Sequence, residues 1–546
     1  MFTNTPRRRA AGVAAIAGLA TVLASPASEF SAKPELTQRE AAIHVLNRLG
    51  FGPRPGDVDR VLAMGIPAYV ERQISPEGIP DAAVEASLKR FATLSMTASE
   101  LYDRFEKPIR ENRHAKQADL PELARIPPEN RPRRILEELS EAKILRAERS
   151  ERQLNEVLVD FWMNHFNIFA GKGLDRIYIT SFERDVVRPR IWGKFEDLLL
   201  ATAKSPAMLF YLDNAQSVAD PDHRAPRPLR FARFLGEGMR PAKAGGGNGP
   251  GGLNENYARE LMELHTLGVD GGYTQRDVTE LARVLTGWSL VRPEQGTGFV
   301  FRAPLHDVGS KTVLGIAFPP GGGTEEGEKI LRILANHPAT ARHIATKLCQ
   351  RLVADNPPPS LVERVSRRFL ETGGDLRETV RAVVASPEFA DPRYYRAKIK
   401  SPFEYVVSAL RAIDATTDDA LPIARQLAQM GEPLYLCQPP TGYSDAAEAW
   451  VNTGALVARL NFALSLADGR LAGTWSRAES LVSPDAAPDT RTAVSALACA
   501  LVGDDLSPAT RTTLEKRLGA ETAGDVNKQV PLIAGLILGS PEFQRQ

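Results

Sequence analysis

Hydrophobic residues recur at three- and four-residue intervals along most of the chain. The spacing is clearest in residues 133–169, 339–353 and 360–389, where Leu, Ile, Val and Ala alternate with Glu and Arg. Such spacing places apolar side chains on one face of an α-helix. Residues 38–73 show the same pattern on both sides of a Gly–Pro break, which predicts a helical hairpin. We therefore predict a mainly α fold, a large multi-helical array.

Two stretches depart from this helical pattern. Residues 298–318 carry aromatic and β-branched residues around a glycine turn, which predicts a small β-hairpin. Residues 240–254 are rich in Gly and Pro, a composition that favours an open chain. Because helical segments flank residues 240–254, we interpret them as a surface loop inside a domain. Thr274 and Asp277 form a capping-box pattern that predicts the start of the next helix.

The helical pattern continues to the end of the chain, so we predict one domain over residues 38–546. Two lobes, 38–330 and 331–546, are the alternative division. Residues 1–27 differ: an arginine cluster precedes an Ala- and Gly-rich apolar core and then small residues. This order is typical of a signal peptide, cleaved after Ala24 or Ala27, with the Sec or the twin-arginine route left open. We therefore expect an exported protein, periplasmic or secreted.

Charge and cysteine content exclude several classes of partner. The chain has 68 Lys and Arg against 67 Asp and Glu, a net charge of +1, so no basic field predicts nucleic-acid binding. Beyond residue 27 we find no apolar run of about 18 residues, so we expect no stable membrane span. The three cysteines lie in separate segments without CxxC spacing, so disulfides do not define the fold. No phosphate loop, dinucleotide fingerprint or G-x-S-x-G elbow is present, and no cofactor is predicted.

The first candidate site lies in the segment "GLNENYARELMELHTLGV". At α-helical spacing Asn256, Glu260 and Glu263 fall on one narrow stripe between two apolar faces. We call these three residues the carboxylate stripe. Buried unpaired carboxylates cost several kcal/mol each, so the stripe needs partners.

Three partner schemes fit the carboxylate stripe. Arg259, Arg276 or Arg283 would neutralise it as an ion-pair network. Alternatively, one carboxyl is protonated and one ionised, as hydrolysis of a glycosidic bond requires. In the third scheme the carboxylates bind a divalent cation together with His165, His265 or His306.

The second candidate is the segment "DFWMNHFN". Trp162 would give an apolar wall, and Asn164 and His165 would give hydrogen bonds, a combination that suits a sugar. A buried aromatic helix end with a satisfied histidine is the alternative. In "LHDVGSK", His306 is a candidate proton carrier, while Asp307 is either a functional carboxylate or a turn former before Gly309.

Several of these segments resemble a bacterial family catalogued as domain of unknown function 1800. The matching pieces include "RLGFGPRPGD", "DFWMNHFN", "NENYARELMELHTLGVDGGYTQRDVTELARVLTGW", "HDVGSKTVLG", "KIKSPFEYVVSALRA" and the closing "SPEF". The resemblance implies an exported, mostly helical protein, often encoded beside a family numbered 1501 whose members resemble sulfatases and phosphatases. It thus implies extracellular polymer processing and a partner from that second family.

One segment departs from the family pattern. Before Trp450 the chain reads "PPTGYSDAAEAW", where family members commonly carry a "PPDVKGWPGG" type of turn. If that turn shapes a site, the substrate differs here.

Together these patterns predict an exported hydrolase acting on a polymer, most plausibly a polysaccharide. Glu260 and Glu263 are the candidate acid and base, and Asn256, Trp162, Asn164, His165, His306 and Asp307 are the candidate substrate-binding residues. Two alternatives stay open. One is a non-catalytic envelope or secretion-partner protein. The other is a metal-dependent enzyme that uses His165, Glu260, Glu263 and His306.

Overall fold

The computed structural model describes residues 35–114, 127–224, 252–482, 489–521 and 529–546. The predicted signal peptide and most of the predicted loop 240–254 lie outside these residues. The described residues are mainly helical, as the periodicity predicts. In them, no helix is both long enough and apolar enough to cross a membrane.

The α-helices fall into two groups along the chain. Those before residue 290 are Gln38–Arg48, Asp57–Met64, Ile66–Ile74, Ala82–Leu88, Ala98–Leu101, Lys107–His114, Arg133–Arg149, Gln153–His165, Asp175–Ser181, Phe195–Ala203, Pro206–Tyr211, Asn256–Glu260 and Gln275–Val284. Those after it are Thr324–Ala335, Pro338–Leu352, Pro359–Glu371, Leu376–Val384, Pro402–Ala412, Leu421–Gln429, Thr453–Ala467, Thr490–Val502, Pro508–Glu521 and Val530–Leu538. In the part of the chain that the structure describes, three segments are π-helical: Tyr102–Glu106, Phe182–Val187 and Leu261–Thr266.

Local capping explains where the helices near the site begin. The Thr274 side chain accepts a hydrogen bond from Asp277 N, and Asp277 closes the capping box, which confirms that prediction. Ser401 and Glu404 form the same arrangement at the start of the helix Pro402–Ala412. Such boxes satisfy donors that a helix N-terminus leaves free, so both helices start at defined residues.

Strands occur only as short antiparallel pairs in the described parts of the chain. Trp288–Leu290 pairs with Phe299–Phe301, Lys311–Val313 pairs with Ile316–Phe318, and Thr416–Thr417 pairs with Thr474–Trp475. The predicted hairpin region 298–318 therefore contributes to two hairpins. Its first strand, Phe299–Phe301, pairs with Trp288–Leu290, which precedes the predicted region. The alternation of side chains within a strand does not show which strand is its partner.

Buried hydrophobic residues from Ala42 to Phe543 form one connected core. The last residues of the chain join it. Backbone bonds link Lys398 with Gln546 in both directions, and Lys400 N donates to Gln544 O. The chain end is thereby fixed beside the helix Pro402–Ala412, and this places Phe543 next to Lys400. The division into lobes stays a prediction.

Candidate active site

The carboxylate stripe does not follow a continuous α-helix. An α-helical turn Asn256–Glu260 passes into the π-helix Leu261–Thr266. Because π-helical bonds skip one residue more than α-helical bonds, α-helical spacing does not describe the chain beyond Glu260. Asn256 is exposed, while Glu260 and Glu263 are half-buried.

Arginines do not neutralise the stripe in the described residues. Arg259 Nη2 lies 3.4 Å from Glu255 Oε2 and 3.0 Å from Gln275 Oε1. Arg283 binds Asp307 and Glu280. Tyr273 Oη reaches Glu263 Oε2 at 3.5 Å, and no Lys, Arg or His nitrogen lies within 4.0 Å of either stripe carboxylate across the ranges described. Burial, and then the charge of Glu263, raise the pKa of Glu260, against the weaker effect of Arg259.

His165 caps the end of the π-helix. Its Nε2 lies 3.2 Å from His265 O, and His343 Nε2 lies 3.0 Å from Leu264 O. These carbonyls belong to a helix end, where acceptors lack helical partners. Burial lowers the pKa of His165 well below its usual value and that of His343 to about 4, so both rings are neutral donors. His165 is thus a buried histidine at a helix end, with Nε2 hydrogen-bonded and Nδ1 without a partner in the described residues.

Trp162 lies in the core and not on an open wall. Its side chain is 1% exposed and packs against Phe166 and Phe195. The cause lies in the helix Gln153–His165, which is buried on most of its faces.

His306 and Asp307 are equally buried. His306 Nδ1 lies 2.8 Å from Thr286 O, and its Nε2 lies 3.3 Å from Glu326 Oε2. Asp307 accepts two hydrogen bonds from Arg283 and one from Gly309 N at 2.8 Å. Burial acts against the charge of Asp307, but those donors keep its pKa below the ordinary value. The turn-former interpretation fits Asp307, which is held in an ion pair.

Of the predicted residues, Asn164 lines a polar cleft. This polar cleft has about 60 Å³ of free space, room for a few water molecules. Its charged lining residues are Lys143, Asp160, Arg351, Lys398, Glu404, Glu432 and Asp445.

Two asparagines hold residues 437–443, the loop that covers the polar cleft. Asn164 Oδ1 accepts from Tyr443 N at 2.7 Å, and its Nδ2 donates to Tyr443 O at 2.8 Å. Asn167 Nδ2 donates to Cys437 O and Pro439 O. The turn that departs from the family pattern thus forms one wall of the cleft, through Tyr443, Ser444, Asp445 and Trp450.

A charge network crosses the floor of the polar cleft. Lys143 Nζ lies 2.6 Å from Asp160 Oδ1, Arg351 Nη2 lies 3.4 Å from Asp160 Oδ2, and Arg351 Nη1 contacts Glu404. Asp160 therefore lies between two cations.

Within the described ranges, no Lys, Arg or His nitrogen lies within 4.0 Å of the Glu432 carboxylate. Its side chain is buried, and Oε2 accepts from Phe403 N at 2.8 Å. Burial, and then the charge of Asp160, raise its pKa to about 7, although Lys143 opposes the rise. Asp445 is shifted the same way: burial raises its pKa, and the positive charges of Arg351, Lys347 and Lys398 oppose the rise.

Comparison with known proteins gives the family. The model of the family described as "Protein of unknown function (DUF1800)" matches residues 44–545, nearly the whole chain. The chain belongs to the DUF1800 family. No curated protein and no solved structure matches it.

The residues named for the metal alternative are not gathered in this DUF1800 chain. His165 contacts a backbone carbonyl, His306 contacts Glu326, and Glu263 contacts Tyr273. Within the ranges that the structure covers, no group of three or more His, Cys, Asp or Glu side chains is arranged to hold a metal ion.

Sequence reasoning missed most residues of the polar cleft in this DUF1800 member. Asp160 opens the segment "DFWMNHFN" and Asp445 lies on the departing turn, so both were adjacent to recognised signals. Glu432 lies in "QMGEPLYLCQPP", which has neither periodicity nor a motif. Its environment comes from distant segments that carry Asp160, Lys143 and Phe403.

Proposed function

We propose that the protein is an exported hydrolase that cleaves a polymer, a polysaccharide, by carboxylate acid–base catalysis in the polar cleft. Glu432 is the group that we propose donates and accepts the proton. The observation that supports this most is the buried Glu432 carboxyl, whose pKa is raised to about 7. A general acid or base works best when its pKa lies near the working pH.

The neighbours of Glu432 support a division of roles. Hydrolysis of a glycosidic bond uses one protonated and one ionised carboxyl group. Asp160, between Lys143 and Arg351, is the candidate for the ionised group. Because the two environments differ in this way, the pair fits the two roles better than Glu260 and Glu263 do.

The carboxylate stripe becomes a candidate for substrate binding outside the polar cleft. The charge of Glu260 contributes to the raised pKa of Tyr211, behind burial, Cys437 and Asp175. Tyr211 Oη donates to Gln438 O at 2.7 Å, in the loop whose Cys437 lines the cleft. The charge of Glu260 therefore acts on the residue that binds this loop.

The free space in the polar cleft is smaller than a sugar ring needs. The turn 443–450 must therefore move when the polymer binds. That movement depends on Asn164 of the helix Gln153–His165, which accepts a hydrogen bond from Tyr443 N. It also depends on Gly442, which packs closely against Asn164.

The test compares Glu432→Gln with Glu448→Gln on a panel of polysaccharides, with product release measured by reducing ends. Glu448 is exposed on the turn 443–450 that lines the cleft, so it is the matched control. We expect turnover to fall by about 10²-fold or more in Glu432→Gln and to persist in Glu448→Gln. Equal turnover in the two variants would remove Glu432 from the mechanism. If the wild type cleaves nothing but co-purifies with a 1501-family protein, the secretion-partner alternative replaces the hydrolase.

A further inference from the structure

A second cavity lies on the other side of the helix Pro402–Ala412. It has about 260 Å³ of free space, and both Lys400 and Ser408 line it. The polar cleft is lined by Lys398, Ser401 and Glu404 of the same segment. The segment 398–408 thus separates two cavities.

Lys400 and Ser408 form a close polar pair in this second cavity. Lys400 Nζ lies 2.9 Å from Ser408 Oγ and 2.8 Å from Phe543 O, and the side chains are 3% and 2% exposed. In the described chain, no carboxylate oxygen lies within 4.0 Å of the amine; its third neighbour is the Phe543 ring, 4.2 Å from Nζ to the ring centroid.

The hydrogen-bond geometry accommodates Lys400 without its charge. A neutral amine donates to Phe543 O and accepts from the Ser408 hydroxyl, and its second N–H lies against the Phe543 ring. An ammonium would instead donate to both, and the hydroxyl hydrogen would lack an acceptor in the described residues. Burial, and then the charge of Arg396, lower the pKa of Lys400 well below 10.5, with Glu404 opposing.

The Gly52 backbone packs closely against the Ser408 hydroxyl. Gly52 has a φ of +91°, and a Cβ built there would lie 2.7 Å from Ser408 Oγ. Glycine therefore avoids a side chain that would cover the hydroxyl. The cavity reaches solvent, because Arg39 and Asp59, both exposed, line it.

We infer that Ser408 and Lys400 form a serine–lysine pair that hydrolyses a small carboxylic ester in the second cavity. A serine is activated when a base lies within hydrogen-bond reach, and lysine serves as that base in several hydrolase folds. The three arginines of the cavity lining are paired with carboxylates, so the lining sets no preference for a charged acyl group: Arg39 with Asp59, Arg54 with Glu151 and Arg396 with Asp505. No G-x-S-x-G motif marks the pair, because Lys400 approaches Ser408 across the first turns of a helix.

The reaction balances with the groups present. Ser408 Oγ bonds to the acyl carbon while its proton passes to Lys400 Nζ. The ester C–O bond then breaks, and the alcohol leaves with that proton. Water next adds to the acyl carbon and gives a proton to Lys400, the Oγ–carbon bond breaks, and Ser408 regains the proton. The products are one acid and one alcohol.

The experiment uses the full chain with Cys499→Ala as the background, because Cys499 lines the same cavity and thiols attack activated esters. A fluorophosphonate label is followed by intact mass and peptide mapping, and hydrolysis of p-nitrophenyl acetate and of a mono-ester of succinate is measured. Ser408→Ala is compared with Ser386→Ala, a buried serine that lines neither cavity.

We expect one label on Ser408 and hydrolysis of both esters faster than in buffer alone. The label and the hydrolysis are lost in Ser408→Ala and retained in Ser386→Ala, with both variants matched in circular dichroism. Absence of label and of hydrolysis in the background protein overturns the inference, as does equal hydrolysis in Ser408→Ala. Because these substrates contain no glycosidic bond, a negative result here leaves the proposed polysaccharide hydrolase untouched.

Discussion

Asn164 binds the backbone of Tyr443 as a neighbouring strand would, accepting from its N–H at 2.7 Å and donating to its carbonyl at 2.8 Å. The two residues belong to distant parts of the chain, and their contact closes one wall of the polar cleft. The contact joins two segments. One is the helix end in "DFWMNHFN", a candidate site from the sequence, and the other is the turn where this chain departs from the family pattern.

Replacing Asn164 tests this contact. In Asn164→Ala both hydrogen bonds are lost and two backbone groups lose their partners, so we expect the free energy of unfolding to fall by about 2 kcal/mol. Urea denaturation followed by circular dichroism measures it. Asn336→Ala, at an exposed position, is the control and is expected to change the free energy by less. Equal effects would show that the Tyr443 contact does not stabilise the fold.

Gly442 is the second test of the same wall. It has a φ of +72°, and a Cβ there would lie 2.4 Å from Asn164 O. Gly431 has a φ of +97°, but a Cβ there meets nothing within 4 Å. Both alanine variants bear the left-handed backbone penalty of about 1–2 kcal/mol, so we expect Gly442→Ala to be the less stable by a further 1 kcal/mol or so. Thermal melts of the pair give the difference, and equal melting temperatures would contradict the close packing.

Glu432 predicts a pH dependence of stability. Its pKa is raised from 4.5 to about 7 in the folded protein, so the folded state holds a proton that the unfolded state has lost between these values. Stability from this group is therefore complete below pH 4.5 and is lost as pH rises through 7. The difference between wild type and Glu432→Gln should shift by about 3 kcal/mol across that window, in favour of the variant at high pH. Urea titrations at several pH values measure it.

A control separates Glu432 from other buried acids. Burial raises the pKa of Glu148 to about 7 as well, so Glu148→Gln should remove its own share of the pH dependence. The exposed Glu448→Gln should remove none. A wild type and a Glu432→Gln variant with parallel pH profiles would contradict the raised pKa.

The carboxylate stripe predicts an electrostatic coupling. The charge of Glu263 is, after burial, the main cause that raises the pKa of Glu260. In Glu263→Gln that repulsion disappears, so we expect the pKa of Glu260 to fall toward its ordinary value. Carboxyl carbon NMR titration measures it, with Glu260→Gln used for assignment. The exposed Glu479→Gln should leave the titration of Glu260 unchanged. An unshifted Glu260 in Glu263→Gln would show that the carboxyls do not interact.

The helical architecture was accessible from the sequence because it rests on local rules. The capping box at Thr274 needs only residues three apart, and the amphipathic pattern of residues 360–389 needs only near neighbours. The same rules failed at Leu261–Thr266, where a π-helix replaces the α-helical spacing. His165 and His343, which cap its final carbonyls, come from two other helices, so local spacing could not predict it.

The candidate site was only partly accessible for a related reason. Polar residues in "DFWMNHFN" were recognised, but which of them face the cleft depends on what packs around the helix. Trp162 and His165 face the core, whereas Asn164 faces the loop of Tyr443. A functional composition therefore indicated the neighbourhood and not the role of each side chain.

By itself the sequence determined a mainly α fold, the helix starts that capping boxes define, and membership of the DUF1800 family through long segments of characteristic residues. Only the tertiary structure decided that Glu432 and Asp160 line one cleft and that Lys400 contacts Ser408 in a buried setting. The physical reason is that helix formation and capping depend on neighbours in sequence. The protonation of a carboxyl or an amine depends on desolvation and charge, which segments far apart in the chain supply together.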